Sequence, residues 1–333
     1  MTISYKSYLW YSITFVSAAG LVASFVARRH LDKKPIMVVD FEASMQVKAF
    51  SHILADNNTL MLLNMFKQVY DKNKNAVANP AEIIKVPRIL HVIWLGGRLP
   101  KAYEPFYQSW LDYHPDWTHI FWTDNPVHYE FGTVICKTFD ELNTCLHASR
   151  NSGRGMRIVV DTHALSFDNK PFFDASRNYG ERSDILKWEI VYRYGGVYVD
   201  TDFECLQPLD NLNYCYDFYT GLQPLDTNRV QLGAALFAAI PGHPIMRECV
   251  EGIKRNQHIV PIVSKTGPIH FTRSFLQKVT EGNYINIAFP ASYFYPCGYE
   301  ERDLPPTKWA KNEAFAIHHW AGSWLKAEGF VRS

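Results

Sequence analysis

Asp200 and Asp202 stand two residues apart at the end of the apolar run Val197-Tyr198-Val199, within the stretch RSDILKWEIVYRYGGVYVDTD (182–202). Side chains on a strand alternate faces, so a strand continued through this pair sends both carboxylates to one side and Thr201 to the other. Two carboxylates at the open end of a buried strand suit a hard divalent cation, Mn²⁺ or Mg²⁺, which commonly shares its shell with phosphate oxygens. Ligands of open α/β sheets also gather beyond the carboxyl ends of the strands. With 18 aspartates in 333 residues, about one Asp-x-Asp arises by chance, so the flanking elements must carry the argument. An ordinary helix-to-strand turn with two solvated aspartates is the competing reading.

Those flanking elements can be read directly. From Ser183 to Tyr194, apolar Ile185, Leu186, Trp188, Ile190 and Val191 recur with the spacing of a helix that buries one stripe. Gly195-Gly196 follows, and glycine supplies the left-handed residue that ends a helix. Asp184 and Lys187 lie one turn apart on one face. They form a plain surface ion pair, or, if they face Asp200, groups for sugar hydroxyls and diphosphate oxygens. Upstream, His91-Val92-Ile93-Trp94-Leu95-Gly96-Gly97 reads as the first strand of a domain running into a turn where a ligand can approach the backbone. Trp94 at its end either stacks on a nucleotide base or fills the core. Near the C-terminus, AIHHWAGSW (316–324) places His318 and His319 on opposite faces of a strand, so only one can reach a shared metal site.

The chain as a whole is 47% hydrophobic and 15% aromatic, enough to bury a sizeable core. Its net charge of +1 gives no electrostatic footprint for nucleic acid. Six cysteines form no Cys-x-x-Cys pair and no zinc spacing, which leaves the redox compartment open. Residues 8–27 carry no charge and have the length of a transmembrane helix. Arg28, Arg29, Lys33 and Lys34 follow it and argue for a cytosolic domain, whereas the acceptor pattern Asn57-Asn58-Thr59 argues for a lumenal one. Asp40 to Lys74 has no Gly or Pro and reads as helical, so residues 28–85 are expected to be a helical stem or extension. From Val86 to about residue 326, short apolar runs alternate with helical segments: Ile89–Leu95, Thr118–Trp122, Asp217–Gly221 and Ala234–Ala239 as strands, Tyr103–Tyr113 and Pro244–Lys254 as helices. The rhythm predicts one α/β domain with a mainly parallel central sheet and flanking helices.

Four blocks in order, VPRILHVIWLGG, QSWLDYHPDWTHIFWTDN, RSDILKWEIVYRYGGVYVDTD and AIHHWAGSW, resemble the Asp-x-Asp glycosyltransferases of family 32. That family includes capsule-type bacterial sugar transferases, yeast Golgi mannosyltransferases and inositol phosphoceramide mannosyltransferases; the central block is also similar to clostridial glucosylating toxins. Over residues 86–326 the resemblance implies a GT-A fold, a UDP- or GDP-sugar donor, Mn²⁺ or Mg²⁺, and transfer with retention of configuration. By position, Trp94 would stack on the base and Asp184 would hold donor sugar hydroxyls. Asp200 would contact ribose or sugar, directly or through water, and Asp202 would ligate the metal. His318 matches the more constant histidine of the closing motif and joins Asp200 and Asp202 as a possible ligand, while Ser323 and Trp324 would close over the diphosphate. Lys187 stands where relatives usually carry arginine, which keeps the charge and loses the planar fork. QLGAALFAAIPGHP (231–244) lacks an asparagine often found near its start. The implied acceptor is a glycan, glycolipid or sphingolipid, and the implied place a membrane, of the Golgi in a eukaryote or the inner membrane in a bacterium. A metal-dependent phosphohydrolase and a non-catalytic sugar- or protein-binding module on the same fold are the rival readings.

Overall fold

The structure, a computed structural model, describes residues 36–126, 134–305 and 311–322. The stretch 8–27 expected to span a membrane lies outside them, and among the described residues no helix is long and apolar enough to cross a bilayer. Ten strands run in chain order as β1 Ile89–Trp94, β2 Thr118–Thr123, β3 Val134–Cys136, β4 Arg157–Asp161, β5 Gly196–Val199, β6 Phe203–Cys205, β7 Phe218–Leu222, β8 Leu232–Ala239, β9 Asn286–Phe289 and β10 Ala316–His318. Eight of them form one sheet in the order β3-β4-β2-β1-β5-β8-β7-β9. Five of its seven neighbouring pairs are parallel; β8 runs antiparallel to both β5 and β7. The chain is therefore a mixed α/β protein around a mostly parallel sheet, and the antiparallel β8 departs from a uniform βαβ rhythm.

Burial on both faces explains the composition of the strands. β2 (THIFWT) and β8 (LGAALFAA) are buried at every position, and such strands read as continuous apolar runs rather than alternations. The helix Tyr179–Tyr194 packs on the helix Pro244–Arg255, which in turn packs on Pro268–Lys278 beside β8. Trp188 is the centre of that layer, against Phe237 at 4.8 Å and Phe271 at 4.9 Å.

The segment expected as an N-terminal helical stem is broken up and belongs to the folded body. A short helix Phe41–Ser44 is capped by Asp40, and a second, Asn57–Asn73, by Asp56, whose extended backbone stops any continuation from before it. Leu63, Phe66 and Tyr70 of the longer helix are buried. Phe66 meets Phe275, Tyr70 meets Phe289, and the Asn73 amide donates to the Asn286 carbonyl of β9 at 2.7 Å. The helix thus covers an edge strand that would otherwise present unpaired backbone groups.

The turn that feeds the Asp-x-Asp is held by His91. Trp122 Nε1 donates to His91 Nδ1 at 3.2 Å, so the ring proton sits on Nε2 and donates to the Gly195 carbonyl at 2.9 Å. Gly195 and Gly196 have φ of +62° and +93°, and a Cβ on Gly196 would lie 2.6 Å from the Ile89 carbonyl oxygen. Only glycine accepts both the handedness and the closeness.

Burial pushes the imidazole of His91 down to about 4, and likewise His119, His243 and His270 to about 4 and His114 to about 3. These five rings fold neutral, whereas in the unfolded chain they protonate near 6.5. A depressed folded value means stability that is complete above about 6.5 and is lost as pH falls toward 4. Each ring contributes at most on the order of 3–5 kcal/mol. The melting temperature should therefore drop steeply below pH about 6.5, read by calorimetry across a pH series; a flat profile over that window would contradict the neutral-histidine core.

Candidate active site

β5 ends at Val199, and Asp200, Thr201 and Asp202 form a turn rather than the continued strand expected from alternation. The Phe203 amide donates to the Asp200 carbonyl at 3.2 Å and the Asp200 amide to the Ala235 carbonyl of β8 at 2.8 Å. The turn reverses the chain into β6, and both carboxylates still face one point. β10 pairs antiparallel with β6, His318 opposite Phe203. This pairing brings a side chain from more than a hundred residues downstream to the aspartates. One ligand atom each from Asp200, Asp202 and His318 lie within 4.8 Å of one another.

The three groups are held differently. Asp202 is buried; its Oδ1 is 3.3 Å from His318 Nε2, and its Oδ2 accepts the Ala321 amide at 2.9 Å. Burial alone would raise its pKa, but the facing imidazole and that amide outweigh it and hold the carboxyl below the usual range. Asp200 accepts the Tyr198 hydroxyl at 2.6 Å. There burial wins, opposed by Lys187 and reinforced by Asp202, and the carboxyl is pushed up to about 6. Tyr198 is a site residue absent from the expectations above. Its signal was the period of two, which puts residues 198 and 200 on one face.

The pattern around a cation fits this donor set. Two inward carboxylates and an imidazole supply hard oxygen and borderline nitrogen ligands, and a positive ion would offset the burial, and the lesser like charge of Asp202, that raise Asp200. His318 Nδ1 is buried without a hydrogen-bond partner among the described residues, so the outer side of this ring lacks the acceptor that metal-bound histidines usually have.

Asp184 and Lys187 do form an ion pair, at 2.5 Å, but it is internal: the Lys187 side chain is 4% exposed and lies against the Trp188 and Tyr198 rings. The other oxygen of Asp184 accepts the Thr266 hydroxyl at 3.0 Å, and Trp188 Nε1 donates to the Thr266 carbonyl. Thr266 was not foreseen, because eighty-two residues separate it from Asp184 and no local pattern marks the contact.

Trp94 and Thr123 end neighbouring parallel strands in register, and β5 lies on the other side of β1, so Trp94, Asp124 and Asp200 share the carboxyl edge of the sheet. Trp94 is half-buried beside Tyr103 at 5.5 Å, and its buried indole N–H has no hydrogen-bond partner among the described residues. The Gly96 amide is clasped by both oxygens of Asp124 at 2.9 and 3.0 Å. His319 points away from the cluster: it stacks on Phe106 at 4.2 Å and bonds Glu204 at 2.9 Å. Ser323 and Trp324 lie outside the described residues.

Two features of the QSWLDYHPDW block fix the turn from behind. Trp110 Nε1 donates to the Phe203 carbonyl at 2.7 Å, and Ser109 Oγ accepts the Cys205 amide at 2.8 Å.

Residues 100–219 match the family described as the glycosyltransferase sugar-binding region containing the DXD motif. Over that stretch the chain is similar to the DXD-motif glycosyltransferases. It is 25% identical over 244 residues to inositol phosphoceramide mannosyltransferase 2 of Schizosaccharomyces pombe, covering 72% of this chain and 58% of the relative. It is 27% identical over 178 residues to human alpha-1,4-N-acetylglucosaminyltransferase, covering 49% of each. Among solved structures, the PaToxG glycosyltransferase aligns over 67% of this chain and 81% of its own with a TM-score of 0.45 and 15% identity. The chain spans about half to three-fifths of the length of these curated relatives. Asp200-Thr201-Asp202 is an Asp-x-Asp sequence inside the matched stretch.

Removing the buried ammonium from this site would leave half-buried Asp184 without its ion-pair partner. Lys187→Met, which keeps the volume, should destabilise the protein by about 3–5 kcal/mol, measured as a shift in urea midpoint; a loss below about 1 kcal/mol would mean the pair is solvated like a surface one.

Proposed function

We propose that this chain is a metal-dependent glycosyltransferase that moves a hexose from a nucleotide-diphosphate sugar to a glycan or glycolipid acceptor, with retention of configuration, on a GT-A fold. The observation that carries the reading is the meeting of Asp200, Asp202 and His318 at the carboxyl edge of the sheet, beside Trp94 on the adjacent strand. The family match supplies the reaction class. That match and an intact carboxylate pair weigh against the phosphohydrolase and binding-module readings.

Asp202 and Asp200, with His318, would hold Mn²⁺ or Mg²⁺, which when bound supplies Lewis-acid stabilisation of a diphosphate leaving group. This chain's own residues do the rest. The Trp94 face would take the base. Asp184, fixed by Thr266 and Lys187, would orient the hydroxyls of the donor sugar, and orientation of this kind accounts for much of a transfer rate. Lys187 is buried against Asp184, so in this arrangement it acts on the site through its field on Asp200. Ser323 and Trp324, by the resemblance, would cover the diphosphate.

The name of the yeast relative points to mannose and an inositol phosphoceramide acceptor, that of the human relative to N-acetylglucosamine; the mannose–glycolipid pair is the one we favour. Residues 8–27 would anchor the domain, bounded as 86–326 with the packed N-terminal segment before it, to a membrane such as that of the Golgi.

The test is a thermal-shift and turnover panel of GDP-mannose and UDP-sugars with and without Mn²⁺. One donor should stabilise the protein by about 2–3 kcal/mol at a hundredfold excess over its Kd, and only with the metal. Asp202→Ala should melt near the wild type, lose that stabilisation and lose transfer by at least about a thousandfold. Undiminished turnover of Asp202→Ala under chelation would end the proposal.

A further inference from the structure

The six cysteines are all free thiols, yet two of them touch. Cys136 closes the edge strand β3, Cys145 lies in the second turn of the helix Phe139–Ser152, and their sulfurs are 3.6 Å apart. The connection between them is stiff. Thr138 caps the helix by accepting the Glu141 amide, and the Glu141 carboxylate accepts the Lys137 amide at 2.6 Å. Both thiols are thus presented to each other by regular structure, and a shift of about 1.5 Å closes the remaining gap to a sulfur–sulfur bond. The other four are buried, Cys205 and Cys297 being spent on the carbonyls of Gln207 and Gly298.

We propose that Cys136 and Cys145 are a modification site, forming a disulfide by exchange with a low-molecular-weight disulfide such as oxidised glutathione. The half-exposed Cys145, as thiolate, attacks the small disulfide, bonds to one sulfur and expels the other as a thiolate. Cys136 then gives its proton to solvent and attacks the Cys145 sulfur, expelling the second small thiolate. Two protein thiols are oxidised to one disulfide, and one small disulfide is reduced to two thiols. Burial pushes the Cys136 thiol up to about 12, so the closing step is the slow one and accelerates as pH rises. The bond would staple β3, which is paired on one side only, to the helix that follows it. It would persist only in an oxidising compartment. That ties it to the lumenal alternative suggested by Asn57, which is exposed at the start of its helix.

The experiment uses the purified full chain, equilibrated in oxidised and reduced glutathione at mildly alkaline pH, acid-quenched, alkylated with N-ethylmaleimide, digested and weighed. The expected result is a cross-link joining the peptides of residues 136 and 145, lighter by two hydrogens, with the other four cysteines alkylated. The melting temperature should rise by about 4 °C on oxidation, and this rise should vanish in Cys136→Ser. Full alkylation of both thiols under oxidising conditions, glutathione retained on Cys145, or a cross-link to another cysteine would each overturn the assignment.

Discussion

Two carboxylates within reach of each other, Asp202 buried and Asp200 half-buried, define this protein, and the elements around them are arranged to make that tolerable. Charge without water is costly unless it is paired or hydrogen-bonded. Asp202 receives an imidazole and a backbone amide from the chain's C-terminal segment, and its anion is favoured. Asp200 receives a phenol hydroxyl and the field of a buried ammonium, and these fall short of offsetting burial. The two carboxyls are pushed apart in acidity, so the pair readily carries one negative charge and resists two. A countercharge at their meeting point would remove that resistance, which is the physical basis for reading the cluster as a cation site.

This arrangement explains why the fold needs its distant parts. β6 and β10 are each three residues long, and a two-stranded sheet of that size is not stable alone. Trp110 and Ser109 grip β6 from behind through its backbone. Phe203, sandwiched between His318 at 5.0 Å and Tyr295 at 5.3 Å, holds it from the front. Trp320 carries a left-handed φ of 53° and donates from its indole to the Cys297 carbonyl, and this bend delivers the Ala321 amide to Asp202. A turn bearing one buried and one half-buried acid is thus fixed by aromatic packing on either side.

Much of this was written locally in the sequence. The helix Tyr179–Tyr194, its glycine stop, the strands at 89, 118, 218 and 232 and the divergence of His318 from His319 all follow from periods of 3.6 and 2 with breaker residues. The break within residues 40–74 was legible too, through the capping residues Asp40 and Asp56, although the absence of Gly and Pro suggested continuity. What could not be read was long-range. Thr266 reaches Asp184 across eighty-two positions, and the Ala321 group that matters is a backbone amide with no residue signature. The edge strand β3 is too short to declare a period. The turn at 200–202 was right in its outcome and different in its cause: a hydrogen-bonded reversal, not alternation, aims the carboxylates together.

The internal position of Lys187 follows from the same electrostatics. An arginine here would bring a planar fork suited to two acceptors at once. The compact ammonium instead fits between Asp184 and the faces of Trp188 and Tyr198, and aromatic faces accept a cation where a carboxylate takes its donors. Tyr198 is then a relay in the literal geometric sense, its ring against the ammonium and its hydroxyl on Asp200. Through it Asp184 and the acid pair at the turn belong to one connected polar network. Such a network is worth more than its separate pairs when every member is satisfied. Its one unsatisfied member among the described residues is His318 Nδ1, on the ring whose other nitrogen faces Asp202.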